Sequence, residues 1–225
     1  MRFALFLIMK AFIFDMDGVI FDSERAEYGI WMEMAEEHQL PGMQEVYYRC
    51  IGVNREVCKR TMLEAYGEDF PFEEYAKLSS KRYQERYGNG RLPIKEGARE
   101  LLSYLSRRGY PIALASSTRT EKVQSQLKAA NLLQYFNVVI GGDMVSKSKP
   151  DPEIFLKASE ELSVVPEQCI VIEDSYNGIR AAAAAGMHPY MVPDMLSPNE
   201  EMISLCEKIV GSLTEMKEIL MKEEP

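Results

Sequence analysis

Two aspartates, Asp15 and Asp17, follow a short apolar run at residues 11–14, at the point where that run ends. Runs of this kind form buried strands of parallel sheets, and open α/β sheets bind their ligands just beyond the carboxyl ends of such strands. A carboxylate in that position can attack an electrophile or hold a metal ion. The alternative is a helix cap, which is a common function of aspartate. The pair is therefore a candidate catalytic site, and the residues at the other strand ends must decide between these interpretations.

Polar side chains also follow other apolar runs: Ser116-Ser117-Thr118 follows the run 111–115, and Glu173-Asp174 follows the run 170–172. A lysine, Lys149, stands in the loop before a helix that begins with proline. Because the carboxyl ends of parallel strands meet at one edge of a sheet, we expect these side chains to lie near Asp15. Taken singly, Ser116 could be a helix cap and Lys149 a solvated lysine.

This set of residues resembles the four motifs of the haloacid dehalogenase superfamily of phosphohydrolases. The matching positions are Asp15 with Asp17, then Ser116, then Lys149, and then Glu173 with Asp174. The resemblance covers nearly the whole chain from Met9 onward, and it is specific because the four motifs occur together and in order. The helical block after the first motif is similar to that of subfamily I members with a helical C1 cap, in the branch of the β-phosphoglucomutases and phosphoglycolate phosphatases.

The resemblance implies a function for each acidic residue in phosphoryl transfer. Asp15 would attack phosphorus and form an aspartyl phosphate, which divides one hydrolysis into two steps. Asp17 would protonate the leaving oxygen and then deprotonate the attacking water. Asp15, the backbone carbonyl of Asp17 and the carboxylate of Asp174 would hold Mg²⁺. Glu173 would bind this ion directly or through water.

The hydroxyl and basic residues would hold the phosphoryl group. Ser116 would donate its hydroxyl, and Ser117 its backbone N–H, to the phosphoryl oxygens at the start of a helix, where anions are favoured. Thr118 would belong to the same substrate-binding loop. Lys149 would place a positive charge beside Asp15 and the phosphate.

Asp17 and two residues of the helical block bear on the substrate. Family members that cleave carbon–halogen or carbon–phosphorus bonds lack an acid two residues after the nucleophile, so Asp17 favours phosphate esters. Glu27 stands where the mutases carry a histidine, which favours net hydrolysis and leaves a β-phosphoglucomutase-like phosphomutase as the alternative. Arg55 would bind a distal anionic group of the substrate, or it is an exposed charge at a helix start. We expect the cap to close over a small phosphorylated metabolite such as a sugar phosphate.

The periodicity along the chain predicts an α/β protein: a doubly wound parallel sheet with a Rossmann-like core and an inserted all-helical cap domain. Three helical patterns follow one another without a strand, at residues 23–42, 54–66 and 72–87. A block of this length is too long for one crossover helix. From Glu96 onward helices and strands alternate, and the tail after Ser197 predicts two short helices. The predicted divisions are a core of residues 9–22 and 92–225, a cap of residues 23–91 and an N-terminal extension of residues 1–8.

The composition limits the classes of function. A net charge of −9 and an isoelectric point near 5.0 argue against nucleic-acid binding. With only two histidines the chain cannot form a three-histidine zinc site, and it offers few candidates for the histidine of a Ser-His-Asp triad. Four cysteines without metal-ligand spacing predict free buried thiols in a reducing cytoplasm, and no run has the length of a membrane helix.

We therefore expect a cytoplasmic monomer that binds neither nucleic acid nor membrane. A phosphoacceptor receiver domain is the alternative from another class, because it also gathers acids, a hydroxyl and a lysine around Mg²⁺. Such domains are much shorter than 225 residues and contain no inserted cap. The length and the pair Asp15 and Asp17 favour the enzyme.

Overall fold

The computed structural model describes residues 11–53, 55–88 and 90–223. The chain forms two compact units, Ser23–Leu92 and the residues on either side of that segment. We call Ser23–Leu92 the cap unit and the remainder the core unit. The predicted extension at residues 1–8 lies outside the described residues, as does the predicted start of the core at residue 9.

The core unit is built on a six-stranded parallel sheet. Its strands are β1 Ala11–Phe14, β2 Ile112–Ser116, β3 Val138–Gly141, β4 Cys169–Glu173, β5 His188–Met191 and β6 Lys208–Ile209. The order across the sheet is β3-β2-β1-β4-β5-β6, so β1 lies between β2 and β4. The chain winds in one direction from β1 to β3 and in the other from β4 to β6, as in doubly wound folds. The predicted fold class is confirmed.

The cap unit consists of helices in its described residues. These are α1 Ser23–Glu37, α2 Met43–Cys50, α3 Arg55–Tyr66 and α4 Phe72–Tyr87. One buried side chain from each helix illustrates the shared apolar core: Ile30, Val46, Met62 and Phe72. Two bidentate ion pairs join α1 to α4, Arg82 with Glu37 and Arg86 with Glu33. Paired guanidinium and carboxylate groups of this geometry fix how two helices align.

The helix α2 is absent from the sequence-based prediction, which assigned no helix between residues 42 and 54. The signal was present, because Met43, Val46 and Tyr47 have helical spacing and are buried on one face. Tyr48 lies next to Tyr47 and is 40% exposed. An aromatic residue on each face blurs the periodicity of so short a helix.

The remaining helices belong to the core unit, and several of them pack on its sheet. They are α5 Ala98–Arg107, α6 Thr120–Ala129, α7 Glu153–Leu162, α8 Tyr176–Ala184, α9 Glu200–Leu205 and α10 Leu213–Glu223. On one face of the sheet, Ile13 lies in a buried cluster with Phe155 of α7 and Ala181 of α8. On the other face, the ring of Phe14 meets that of Phe136 edge-on, with centroids 6.4 Å apart. Strands buried on both faces have no polar alternation, which explains the continuous apolar run of β1.

The tail contains the two predicted helices, α9 and α10, and also the strand β6, which was not predicted. β6 has two residues, and it forms by pairing with Tyr190 and Met191 of β5. Two residues carry no alternation that a sequence pattern could reveal. The pairing partner alone defines this strand.

The four cysteines are free, but the expectation that all are buried is wrong. Cys169 is buried within β4, whereas Cys50, Cys58 and Cys206 are half-buried. Cys50 and Cys58 lie at the margin of the cap unit, whose small core leaves side chains partly open to solvent. Among the described helices, none has both the length and the apolar character needed to cross a bilayer.

Candidate active site

The candidate active site lies at one edge of the core sheet. The strands β1, β2 and β4 are parallel neighbours, so their carboxyl ends meet at this edge. β2 ends at Ser116 and β4 at Glu173, while Asp15 directly follows β1. Asp15 N donates to Ile172 O at 2.9 Å, which continues the β1–β4 pairing as far as the aspartate. The sheet therefore places Asp15 between a hydroxyl residue and an acidic residue, as the spacing predicted.

Lys149 connects the ends of these strands. Its ammonium group donates to Asp15 Oδ1 at 2.5 Å, to Glu173 Oε1 at 2.7 Å and to Ala115 O at 3.2 Å. The side chain is 7% exposed, and its nitrogen lies 4.7 Å from the ring centre of Phe155. An ammonium ion has three N–H donors, so this lysine is fully hydrogen-bonded. The alternative of a solvated lysine is wrong.

Burial dominates the electrostatics of Asp15. The pKa of this carboxyl is raised to about 8, chiefly by desolvation; Lys149 lowers it, and the carboxylates of Glu173 and Asp17 add to the rise. For Lys149, burial favours the neutral amine, but Asp15 and Glu173 outweigh it and hold the pKa above its ordinary value. A carboxylate nucleophile must be ionised. A divalent cation beside Asp15 would add positive charge, and this charge would lower the pKa of Asp15 and favour its ionised form.

Glu173 positions the groups around it. Its Oε1 accepts from Lys149, and its Oε2 accepts from Asp174 N, Ser175 N and Ser175 Oγ, each at 2.9 Å. The backbone of α8 comes close, since a Cβ on Gly178 would lie 1.8 Å from Oε1. One acceptor direction remains on Oε1, so the contact of Glu173 with a metal ion stays a prediction. Its hydrogen bonds hold Lys149 and the turn between β4 and α8.

Three carboxylates form an acidic cluster that could hold a metal ion. One oxygen each from Asp15, Glu173 and Asp174 lies within 4.8 Å of the others. Asp174 approaches the turn after β1 closely, because a Cβ on Gly18 would lie 2.1 Å from its Oδ2. Gly18 also has φ +76°, which side chains disfavour. Hard oxygen donors suit Mg²⁺ or another small divalent cation. Binding of this ion by the backbone carbonyl of Asp17 stays a prediction.

A loop after β2 links Ser116 to Asp17. Ser116 is fully buried, and its Oγ accepts from Thr118 N at 3.0 Å. Thr118 Oγ1 donates to Asp17 Oδ2 at 3.1 Å. Ser117 is exposed between them. The loop therefore brings the residues predicted to hold the phosphoryl group beside the predicted general acid and base.

The helix that follows this loop is capped by a residue that sequence reasoning did not single out. Asp143 Oδ1 accepts from Thr120 N at 2.6 Å and from Thr120 Oγ1 at 2.8 Å, at the first residue of α6. The alternative that Ser116 caps this helix is therefore wrong. Asp143 lies 23 positions after Thr120 in the chain, so no local motif points to it.

A second carboxylate holds the loop that carries Lys149. Glu153, the first residue of α7, accepts from Ser146 N at 2.8 Å, Ser146 Oγ at 2.7 Å and Lys147 N at 2.9 Å. These bonds close the chain segment just before Lys149. An acidic residue at a helix start was the available signal, but it also occurs in helices without such a loop.

The two predicted substrate residues of the cap unit lie on α1 and at the start of α3. Glu27 and Arg55 are both exposed. Arg55 Nη2 lies 2.6 Å from Glu73 Oε2, and its guanidinium lies 5.3 Å from the ring centre of Phe72. Arg55 is thus engaged within the cap unit. Contact of Glu27 or Arg55 with a substrate stays a prediction.

Known proteins resemble this chain over most of its length. Residues 9–186 match the family model described as haloacid dehalogenase-like hydrolase. The phosphorylated carbohydrates phosphatase of Thermotoga maritima is 35% identical over 179 residues, which are 80% of this chain and 82% of that protein. The β-phosphoglucomutase of Bacillus subtilis is 31% identical over 192 residues, which are 80% of this chain and 81% of that protein. A crystal structure of a proposed β-phosphoglucomutase from Thermotoga maritima gives a TM-score of 0.77 at 32% identity, covering 95% of this chain and 99% of that chain.

The matched region contains every residue that forms the site described above. It begins before Asp15 and ends after Asp174, so it includes the strand ends, the loop after β2 and the lysine. Sequence, fold and site geometry therefore lead to the same family. The chain is an enzyme that belongs to the haloacid dehalogenase-like hydrolase family.

Proposed function

We propose that this protein is a Mg²⁺-dependent phosphomonoester phosphatase that acts on a small phosphorylated metabolite through an aspartyl phosphate. The observation that carries the proposal is the buried contact between Lys149 and Asp15, with Glu173 on the other side of the lysine. The contact holds a carboxylate at a strand end in one orientation, beside an acidic cluster that suits a divalent cation. If Asp15 served only as a helix cap, it would need neither the buried lysine nor the neighbouring carboxylates.

The reaction begins with attack of the Asp15 carboxylate on phosphorus. The bond between phosphorus and the ester oxygen breaks, and Asp17 donates the proton that the leaving oxygen needs. Asp17 then removes a proton from water, which attacks the aspartyl phosphate and releases inorganic phosphate and free Asp15. When bound, Mg²⁺ offsets the repulsion between the carboxylates and the dianionic phosphate.

The neighbouring residues supply orientation and charge. The hydrogen bond from Lys149 fixes the rotation of the Asp15 carboxylate, which reduces the reorganisation needed for in-line attack. Ser116 and the backbone of Ser117 would donate to the phosphoryl oxygens. Thr118 donates to Asp17, and this hydrogen bond would hold the proposed general acid in one orientation.

A sugar phosphate is the substrate class that we infer. The relative from Thermotoga maritima is named for phosphorylated carbohydrates. The relative from Bacillus subtilis supports a phosphomutase as the second candidate. Glu27 favours the phosphatase, because we align it with the histidine of the mutases. We further propose that the protein acts as a cytoplasmic monomer without nucleic-acid partners.

The test is a screen of some tens of phosphorylated metabolites with Mg²⁺, in which released phosphate is measured. We expect release from at least one sugar phosphate, and we expect none from the variant Asp15→Asn, whose amide cannot attack phosphorus. Asp69→Asn, an exposed acid of the cap unit, is the matched control and should keep full activity. Near wild-type release by Asp15→Asn would disprove the aspartyl-phosphate mechanism.

A second experiment separates phosphatase from mutase. The enzyme is incubated with β-glucose 1-phosphate and a trace of the bisphosphate. We expect any substrate consumed to equal the phosphate released, with no isomeric sugar phosphate accumulating. Rapid formation of glucose 6-phosphate without free phosphate would favour the mutase instead.

A further inference from the structure

The helix α6 begins without a cap of its own. Arg119 occupies the position before its first residue, and its side chain makes no capping hydrogen bond. Asp143, which follows β3, supplies the acceptor instead and binds both the N–H and the hydroxyl of Thr120. The cap therefore comes from another strand end of the sheet. It ties the start of α6 to the segment after β3.

The two residues before Asp143 are glycines that allow this approach. A Cβ on Gly141 would lie 2.3 Å from Thr120 N, and a Cβ on Gly142 would lie 2.2 Å from Ser117 O. Neither glycine has a positive φ, so backbone conformation does not require them. Gly142 N also donates to Thr118 O at 2.9 Å. Close contact with the loop after β2 is the physical reason for both glycines.

The loop held in this way carries the predicted phosphoryl-binding residues. Thr118 accepts from Gly142 through its carbonyl, donates through its backbone N–H to Ser116 Oγ, and donates through its hydroxyl to Asp17. An unbroken series of contacts thus runs from the segment after β3 to the predicted general acid. Asp143 accepts from the N–H of Thr120, the first residue of α6, so the same carboxylate fixes the residue that follows this loop.

We propose that Gly141-Gly142-Asp143, here called the loop clamp, is a positioning element for phosphate binding by residues 116–118 and for proton transfer by Asp17. This inference rests on the proposed phosphatase function. Loss of the clamp would free the loop and weaken its hold on the phosphoryl group. A helix cap that served stability alone would leave phosphate affinity unchanged.

The test compares Asp143→Ala and Asp143→Asn with wild type. Inorganic phosphate is titrated in the presence of Mg²⁺ by calorimetry, and kcat and KM are measured for a phosphate ester that the wild type hydrolyses. We expect Asp143→Ala to weaken phosphate binding and to raise KM, because the loop that holds the phosphoryl group loses its tie to the segment after β3. Asp143→Asn should recover most of the affinity, because its amide oxygen can accept the same hydrogen bonds.

Asn199→Ala is the matched control. Asn199 caps α9 by accepting from Met202 N at 2.9 Å, so its removal costs a cap that has no link to the loop after β2. We expect a fall in melting temperature similar to that of Asp143→Ala with unchanged phosphate affinity. Gly142→Ala tests the clamp without removing the cap: its methyl group would lie against Ser117 O, displace the loop and also weaken phosphate binding.

The outcomes separate the clamp from the proposed function. If Asp143→Ala lowers only the melting temperature, with phosphate affinity and KM unchanged, the clamp is structural and the inference fails. Unchanged affinity in a folded Gly142→Ala protein would overturn it as well. If the wild type hydrolyses no phosphate ester, the proposed function fails, while the calorimetric titration of phosphate still decides whether the clamp positions the loop.

Discussion

Lys149 is the residue whose contacts say most about Asp15. Its three N–H donors are all used within the site, and two of their acceptors are carboxylates. Removing the ammonium group of Lys149 would leave two buried carboxylates, Asp15 and Glu173, without a positive partner. Such a change is strongly destabilising in a protein interior. The same change would raise the pKa of Asp15 further and reduce the ionised nucleophile.

We therefore predict that Lys149→Met lowers kcat by roughly 10²–10³-fold, the range found for loss of one electrostatic donor in an active site. Phosphate release under saturating substrate provides the measurement, with circular dichroism to confirm folding. Lys147→Met is the control, because Lys147 lies in the same segment with 70% of its side chain exposed. A Lys149→Met enzyme as active as the control would show that the buried ion pair has no catalytic function.

Short loops rather than regular elements carry most of the site, and single carboxylates fix their shape. Glu153 holds the segment before Lys149 through three hydrogen bonds. The backbone N–H and the hydroxyl of Ser146 hold the pKa of Glu153 below its ordinary value. Because the folded-state pKa is the lower one, these bonds stabilise the fold fully above the ordinary glutamate pKa. The contribution is lost as the pH falls through the folded-state value.

We predict that the melting temperature falls as the pH is lowered below about 4.5, the ordinary glutamate value, and that Glu153→Gln makes this fall shallower. The variant should already melt lower than wild type at pH 7, because the amide cannot accept all three hydrogen bonds. Melting curves from pH 7 to pH 3 measure both effects. Glu160→Gln, at an exposed position of the same helix, should keep the wild-type slope. Identical slopes for all three proteins would contradict the prediction.

At the scale of the whole molecule, the acidic cluster is the feature that a bound cation would stabilise. The carboxylates of Asp15, Glu173 and Asp174 lie close together, and Lys149 is already shared between two of them. In the proposed mechanism a dianionic phosphate binds beside them. A divalent cation would stabilise both this arrangement and the phosphate. Its binding should therefore be visible in the stability of the protein as well as in its activity.

We predict that EDTA abolishes phosphate release, that Mg²⁺ restores it, and that Mg²⁺ raises the melting temperature in a concentration-dependent manner. Ca²⁺ should support little turnover, because its looser and higher coordination suits in-line attack poorly. Asp174→Asn should lose both the activation and the thermal shift, whereas Asp69→Asn should keep them. Full activity in chelator would refute the acidic cluster as a metal site.

The cap unit should decide which substrate is used. We predict that Glu27→Ala and Arg55→Ala change the ratio of kcat/KM between sugar phosphates, while hydrolysis of p-nitrophenyl phosphate changes less. Arg49→Ala is the control, because Arg49 forms a comparable exposed ion pair with Glu64 in the same unit. Equal changes with all substrates, or equal effects of Arg49→Ala and Arg55→Ala, would argue against a specificity function.

The sequence allowed the fold class and the core of the site to be predicted for one reason. Parallel strands end at a common edge, so polar residues that directly follow buried runs become neighbours whatever their separation in the chain. Asp15, Ser116 and Glu173 each stand at such an end, and their meeting follows from the strand pattern. The helix α2 was missed because Tyr48 obscures its periodicity, and β6 was missed because a two-residue strand is defined only by its partner.

The sequence by itself thus determined the doubly wound sheet, the helical insertion and the residues that gather at the sheet edge. Only the tertiary structure decided how those residues are held. It showed that Lys149 is buried and bonded to two carboxylates. It also showed that Glu173 accepts hydrogen bonds from Lys149 and from the backbone of Asp174 and Ser175. It also showed that Asp143 caps a helix 23 residues before it. Such contacts join side chains that are distant in the chain, and they depend on atomic distances that no local pattern of hydrophobicity or charge encodes.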